Sequence, residues 1–257
     1  MTEKAVSLAA ALSKQSTFKK FKMWIVGDTP LITHAWSQKA KQEMLSKQVK
    51  ATKPGREARD PERDFTDSLY EMETPEGVTV DGKSFAKGAF GFPVTGVKNC
   101  ILAAAHKDKG IARTGVQSAL YLDAEMWRAR PALAGAICDM PLVRIYGSDP
   151  EMREDMVRIG AGMAKTANLA YRAQFTIWAM RITGEYNSTV ITDEALAFLV
   201  NESGRSCGIG EWRNEKKGVF GSFHLAPIAE EKLWDRFAAG KGKMPIPERY
   251  NLPVAAE

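Results

Sequence analysis

Alternating apolar and polar residues near the start of the chain predict a β-strand over residues 18–27. In FKKFKMWIVG, every second residue from Phe21 to Ile25 is apolar, and Gly27 and Asp28 end the pattern. A period of two residues is typical of a strand that buries one face. Other short apolar runs predict strands over residues 78–80, 119–123, 142–146, 156–159, 175–183 and 219–225.

Capping residues and apolar spacing predict helices between these strands. Ser37 and Thr95 are typical N-caps, and Thr192 is followed by two acidic residues that suit the positive end of a helix dipole. Gly204 is typical of the position where a helix ends. The predicted helices cover residues 37–50, 65–72, 97–106, 193–203 and 230–239.

Strands and helices alternate in two units, one early and one late in the chain. The first runs from the strand at Phe21 into the helix capped by Ser37, and the second runs from Phe175 through the helix capped by Thr192 to the last strand. This order predicts an α+β fold with a ferredoxin-like core in a single domain, residues 1–257. The two core halves cover residues 18–50 and 173–226. The segment between them, residues 51–170, is an insertion that carries the central helix and begins with a flexible basic loop at residues 51–64.

Composition indicates a folded protein that stays inside the cell. Hydrophobic residues make up 44% of the 257 residues, which is enough for a sizeable core and excludes a disordered chain. No apolar run approaches the roughly 20 residues needed to cross a bilayer, and the first residues lack the apolar segment of a cleavable leader. We therefore expect a cytoplasmic protein of a bacterial host cell with no membrane partner.

Cysteines and histidines are too scattered to form a metal site. Cys100, Cys138 and Cys207 are separated by 38 and 69 positions, whereas zinc sites and redox pairs use close spacings. We therefore expect buried free thiols, no metal and no cofactor.

Charge is strongly segregated along the chain, although the net charge is only +5. Residues 1–63 carry 13 basic and 6 acidic side chains, residues 64–82 carry 6 acidic and no basic ones, and residues 83–130 carry 8 basic and 3 acidic ones. Basic blocks interleaved with aromatic residues favour a polyanionic partner. A merely solvated surface explains the same pattern, and the acidic segment could fold back on the basic blocks or meet a neighbouring subunit.

A glycine-rich segment at residues 208–223, GIGEWRNEKKGVFGSF, is the sharpest candidate binding site. Glycines let a backbone approach a partner closely, and successive amide groups can form an anion-binding concavity. Basic side chains neutralise phosphates, and a tryptophan offers a stacking face to a base. The candidate residues are Gly208, Gly210, Trp212, Arg213, Lys216, Lys217 and Gly218. The structural alternative is a hairpin whose tryptophan packs on the core.

Three segments together resemble the RAMP superfamily (repeat-associated mysterious proteins). They are Thr29 to Ile32 after the first strand, GFPVTGVKN at residues 91–99 before an alanine-rich helix, and the late glycine-rich segment with its G-x-F-G-x-F ending. The likeness within the superfamily is to the backbone subunits of CRISPR surveillance complexes, and a phage-encoded relative would fit the same motifs.

The resemblance implies a non-enzymatic subunit that binds single-stranded RNA or DNA. It also implies head-to-tail assembly of repeated protomers, or a multi-subunit complex, along the strand. Gly96 and Lys98 match the start of the central helix, which lies near the guide backbone in the family. The basic stretch that contains Lys50, Lys53 and Arg56 matches a flexible insertion. We expect the lysine-bearing helix start and the late loop to share one face, as a track for the strand.

Two other functions stay open. RAMP endoribonucleases often place a general-base histidine on or just before the first helix, where His34 lies, and an imidazole with a pKa of about 6.5 can deprotonate a 2′-hydroxyl. A histidine beside Trp36 is also typical of a packed or capping residue, and the sequence shows no second catalytic residue. The other alternative is a phage structural or assembly protein that binds no nucleic acid.

Two further groups are interpreted as structural. Trp24, Trp127, Trp178 and Trp234 are predicted to lie in the core or at an interface. The acidic residues Glu151, Glu154 and Asp155 have arginines nearby, and we expect exposed ion pairs that contribute little individually.

Overall fold

The secondary structure comes from a computed structural model that describes residues 17–35, 44–45, 48, 60–72, 89–107, 112–124, 140–159 and 166–247. The helices bounded within these ranges are α1 (Pro61–Asp67), α2 (Val94–Lys107), α3 (Arg113–Ala119), α4 (Asp193–Ser206) and α5 (Ile228–Ala238). The strands are β1 (Phe18–Gly27), β2 (Leu31–Thr33), β3 (Glu71–Met72), β4 (Ala89–Pro93), β5 (Leu120–Leu122), β6 (Leu142–Gly147), β7 (Glu151–Ile159), β8 (Thr166–Phe175), β9 (Trp178–Asn187) and β10 (Phe223–Leu225).

The larger sheet has the strand order β10-β1-β9-β6-β4-β3, and every neighbouring pair in it is antiparallel. β1 and β9 pair along nearly their whole length, beginning with Phe18 opposite Asn187. Two strands share the other edge of β9, because β6 pairs with residues 178–180 and β5 pairs with residues 184–186. β9 is therefore the strand that pairs with β1 on one edge and with both β6 and β5 on the other.

A second, smaller sheet contains β2, β8 and β7, again in antiparallel pairs. β7 and β8 form a long hairpin, and Leu31 of β2 lies opposite Phe175 at the end of β8. The turn between β1 and β2 is tied to β9, because Trp178 Nε1 donates to the Thr29 main-chain oxygen at 2.8 Å. The end of β8 and this turn therefore lie at the same end of the main sheet, which is called the Gly27 end. The opposite end of the main sheet is called the Phe18 end.

Side chains of β1 alternate between two covered faces near Gly27. Ile25 lies in the main core with residues of α2 and α4, which pack against each other. Trp24 and Val26 lie on the opposite face under α5, where Trp24 stacks on Trp234 with ring centroids 6.0 Å apart. Because both faces are covered here, the strand ends in a continuous apolar run rather than a strict alternation.

Cys100 and Cys207 are buried free thiols in the main core, as predicted. Cys100 Sγ donates to the Ser203 main-chain oxygen at 3.3 Å. A hydrogen bond with the Cys207 thiol and burial together raise the pKa of Cys100 well above its usual value. Cys138 lies outside the described residues.

The α+β class is confirmed, and several elements match their predicted bounds. β1 spans the predicted residues, and Thr192 caps α4 because its Oγ1 accepts from the Ala195 amide at 3.2 Å. α2 begins at Val94, three residues before its predicted start. The described residues of the predicted 37–50 helix, which are 44, 45 and 48, are helical. No helix within the described ranges is long and apolar enough to cross a membrane.

Three predicted boundaries are wrong. The predicted 175–183 strand is two strands, because a turn after Phe175 separates β8 from β9. Only the last three residues of the predicted 219–225 strand belong to β10. α4 continues through Gly204, which serves packing instead of ending the helix, because a Cβ there would collide with the Phe223 main-chain oxygen.

The segment 51–170, predicted as an insertion, supplies α2 and four strands of the main sheet, which are β3, β4, β5 and β6. Where the sequence predicts a helix over 65–72, α1 starts earlier because Asp60 caps it, accepting from the amides of Glu62 and Arg63. The predicted strand at residues 78–80 lies outside the described residues. β7 contains the predicted 156–159 strand and begins five residues before it.

Candidate nucleic-acid interface

The glycine loop, residues 208–221, connects α4 to β10 and is fixed by main-chain hydrogen bonds. The Glu211 amide donates to Ile32 and the Gly221 amide donates to Pro30, each at 2.9 Å. The Ile209 amide donates to the Gly221 oxygen, also at 2.9 Å, which closes the loop. The loop is therefore docked on the turn between β1 and β2, at the Gly27 end of the sheet.

Glycines give this loop its shape. Gly210 and Gly221 have φ angles of 80° and 66°, which residues with a Cβ rarely adopt. A Cβ at Gly218 would collide with the Trp212 main-chain oxygen. The amides of Gly208, Gly218 and Gly221 donate to carbonyl oxygens within the protein. These three amides therefore do not form the predicted anion-binding concavity, because their donors are already used.

Trp212 is displayed at the surface in an unusual backbone conformation. Its φ angle is 55°, and left-handed backbone is strained for a bulky side chain. The Phe220 amide donates to the Trp212 oxygen at 3.1 Å, which holds this conformation. Trp212 is 36% exposed, whereas Trp24 and Trp178 are at most 1% exposed. The indole therefore belongs to the surface, unlike the core tryptophans, which are buried as predicted. Trp127 lies outside the described residues.

Of the three basic side chains in the loop, one is ion-paired and two have no charged partner among the described residues. Arg213 donates to Glu215 from Nη2 at 2.8 Å and to the Gly210 oxygen from Nη1 at 3.1 Å. Lys216 and Lys217 are exposed, and neither ammonium group has a hydrogen bond or ion pair with any described residue. The open cations next to Trp212 are therefore the two lysines, while Arg213 holds the loop together.

His34 lies beside the same loop and has a partner that the sequence did not reveal. Its Nδ1 lies 3.2 Å from Glu211 Oε1, and because a carboxylate only accepts, Nδ1 is the donor. This hydrogen bond lowers the pKa of Glu211, opposed by burial and assisted by the charges of Arg172 and Arg213. His34 is half exposed. Residues 34 and 211 are 177 positions apart, so no local pattern indicates this pair.

Two arginines of the β7–β8 hairpin complete the surroundings of the loop. The Arg153 guanidinium lies 4.6 Å from the ring centroid of Phe220 and donates to Asp155 at 2.9 Å. Arg172 is buried and lies 3.9 Å from Asp155. The prediction of an exposed ion pair is wrong for Asp155, which is only 8% exposed. No group of metal-binding side chains exists among the residues that the structure describes.

The described contacts of Gly96 and Lys98 are with aromatic rings outside the glycine loop. Gly96 packs against the Phe92 ring, and Lys98 Nζ lies 5.5 Å from the ring centroid of Tyr121. Tyr121 pairs with residue 185 of β9, whereas the loop lies at the level of Trp178. Seven residues of strand correspond to about 23 Å. Lys98 Nζ therefore reaches the ring of Tyr121 near the Phe18 end, whereas Cys100 of the same helix hydrogen-bonds the Cys207 thiol next to the loop. The expected shared face stays a prediction.

The basic stretch with Lys50, Lys53 and Arg56 lies outside the described residues, so its predicted contribution stays a prediction. Comparison with known proteins adds no assignment, because no protein-family model and no curated protein matches the chain. The site is thus defined by the outward tryptophan, the two open lysines and the neighbouring histidine–glutamate pair.

Proposed function

We propose that the protein binds single-stranded nucleic acid through the glycine loop. The observation that carries this proposal is Trp212, held outward in a left-handed conformation beside Lys216 and Lys217. An exposed indole offers a stacking face to any base, and the ammonium groups neutralise neighbouring phosphates. Such contacts are indifferent to base sequence, so specificity would come from register, from shape or from base pairing by the bound strand.

We also propose that the core is ferredoxin-like and of RAMP type. The order β10-β1-β9-β6 in antiparallel pairs, with α2 and α4 packed together on one face, supports a β-α-β-β-α-β arrangement. In this arrangement, α2 is the helix of the first half and α4 is that of the second. Assembly as repeated protomers along the strand rests on the RAMP resemblance.

Salt-dependent binding tests the proposal directly. Labelled oligouridylate and oligothymidylate of about 12 nucleotides are titrated with protein at several salt concentrations. Each phosphate contact on a single strand contributes a slope of about −0.7 in log affinity against log salt. The double variant Lys216→Gln/Lys217→Gln should therefore flatten the slope by about 1.4. Lys232→Gln/Lys241→Gln is the matched control, because it removes the same charge outside the loop.

Substitution of the indole separates stacking from charge. Trp212→Leu should weaken strand affinity about tenfold, whereas Trp212→Phe keeps an aromatic face and most of the affinity. Equal affinities and salt slopes for the wild type and all loop variants would show that the loop does not contact the strand. No strand binding by the wild type at low salt would instead support an assembly protein. Preference between the two oligonucleotides decides between RNA and DNA.

One observation favours a second candidate function, a metal-independent endoribonuclease. Glu211 fixes the His34 ring through Nδ1, which leaves Nε2 as the base of the neutral imidazole. Nε2 would take the proton of a 2′-hydroxyl, whose oxygen attacks the adjacent phosphorus and displaces the 5′-oxygen to leave a cyclic phosphate. Labelled RNA should then be cut in the presence of a chelator, and His34→Ala or a 2′-deoxy substitution at the cut should abolish cleavage. Intact RNA after incubation with the wild type rejects this candidate.

A further inference from the structure

The Phe18 end of the main sheet carries a second group of aromatic and basic side chains. Phe18 on β1 and Tyr121 on β5 flank β9, and their rings meet edge to face with centroids 5.9 Å apart. The two residues are 44% and 52% exposed. Lys98 Nζ lies 5.5 Å from the Tyr121 centroid. Two neighbouring half-exposed rings with an ammonium group beside them differ from scattered apolar residues, which are ordinary on a protein surface.

Strand register explains why these rings face outward together. Tyr121 and Lys20 lie opposite Glu185 on its two sides, so their side chains share one face of the sheet. Phe18 is two residues from Lys20 and belongs to the same face. Further along β1, Trp24 on this face is covered by α5. No element of the described chain covers the face at Phe18.

Charge around the two rings favours an anionic ligand over an apolar one. Among the residues described, Lys98 has no carboxylate partner and Lys20 is paired only with Glu185, at 3.8 Å. The Lys20 side chain is 87% exposed. Asp123 is exposed two residues after Tyr121, so Lys20 and Lys98 face two carboxylates in total, and the cation that contacts a ring is the Lys98 ammonium. A nucleotide matches this arrangement, because it supplies a flat base and a phosphate together.

We propose that Phe18, Tyr121 and Lys98 form a second contact for single-stranded nucleic acid. A base stacks on the exposed rings, and its phosphate pairs with the Lys98 ammonium. The inference rests on the proposed function for its ligand class, but it uses other residues, and its two rings lie about 23 Å along β9 from the level of Trp178. Lys98 contributes to binding through this second contact.

Photo-crosslinking tests the two contacts independently. Oligouridylate of about 12 nucleotides that carries 5-iodouridine is irradiated with the full chain, and the modified peptides are identified by mass spectrometry. We expect adducts on Tyr121 or Phe18 in the wild type and also in Trp212→Leu. Adducts on Trp212 without any on these two rings overturn the second contact and leave the proposed function intact. Adducts on the rings without any on Trp212 support the second contact and overturn the proposed role of the loop.

A paired substitution measures the contribution of the rings. Phe18→Leu/Tyr121→Leu keeps apolar bulk and should weaken binding of the strand of about 12 nucleotides about tenfold, while leaving a strand of about 4 nucleotides at the loop unaffected. Phe198→Leu is the matched control, because Phe198 is a similarly exposed ring on α4. Unchanged strand affinity overturns the inference. If strand affinity is unchanged and self-association is lost, the rings contact a second copy, and if Tm falls instead, they contact another part of the chain.

Discussion

His224 offers a precise test of what holds the Gly27 end of the protein together. Its Nδ1 donates to Asp28 at 2.7 Å and its Nε2 donates to Glu230 at 2.9 Å, so the ring joins the turn after β1, β10 and the first turn of α5. The two carboxylates raise the pKa of His224 to about 9, against the effect of burial. Both nitrogens can donate only in the imidazolium form, so this clamp depends on protonation.

The direction of the pH effect follows from the raised pKa. The stabilisation is fully present below pH 6.5, the ordinary pKa of the unfolded side chain, and is lost as pH rises through about 9. The difference between these two values corresponds to about 3 kcal/mol of free energy of unfolding. Because His224, Asp28 and Glu230 keep 21–24% of their side-chain surface exposed, solvent screens part of this, and we expect about 2 kcal/mol.

Urea unfolding of the wild type and His224→Gln between about pH 6 and about pH 10 measures this contribution. The difference in free energy of unfolding should be largest at the acidic end and should fall by about 2 kcal/mol toward the basic end. Other titrating groups are present in both proteins and cancel. Glu230→Gln should lower the pKa of the ring seen by NMR without returning it to 6.5. A difference that does not change with pH, or a ring that titrates near 6.5 in the wild type, would refute the reasoning.

Three further outcomes are expected from the packing of the core. Gly204→Ala should destabilise the protein by about 3 kcal/mol in urea unfolding because its Cβ meets a main-chain oxygen. Gly115→Ala in α3 should stabilise the protein by about 1 kcal/mol, because its Cβ meets only the Val190 side chain, at an ordinary van der Waals distance of 3.6 Å; similar effects of the two would contradict this packing. Trp24→Phe should cost about 2 kcal/mol, since it deletes a partly buried hydrogen bond of 2.9 Å to a carboxylate of α5; a melting temperature equal to that of the wild type would disprove the bond's contribution. Cys100 and Cys207 should be alkylated by iodoacetamide only at the rate of unfolding, and fast labelling of their peptides in native buffer would show that the thiols are accessible.

Local patterns predicted the elements that local chemistry decides. The alternation and the terminal glycine defined β1 to the residue. Thr192 and the acids after it defined the start of α4, because capping depends on residues within one turn. In contrast, the turn that divides β8 from β9 contains no glycine or proline. It exists because the Ile177 main chain exchanges hydrogen bonds with Ser148, which lies 29 residues away.

The candidate site depends on contacts that sequence spacing does not encode. The sequence identified Trp212 and the neighbouring lysines, because a run of basic residues near a tryptophan is visible in one segment. It did not reveal the contact between His34 and Glu211, which depends on docking of the loop against β2. It also did not reveal the contact between Lys98 and Tyr121, because the position of a helix along a sheet follows from register and not from its own motif.

The shared edge of β9 has a consequence for how the protein opens. β1 pairs with β9 continuously, whereas on the other edge, within the described chain, β6 stops at Met180 and β5 begins opposite Gly184. Each half of that edge can therefore fray without breaking main-chain hydrogen bonds in the other half. In amide hydrogen exchange, β5 and β6 should therefore report separate opening free energies.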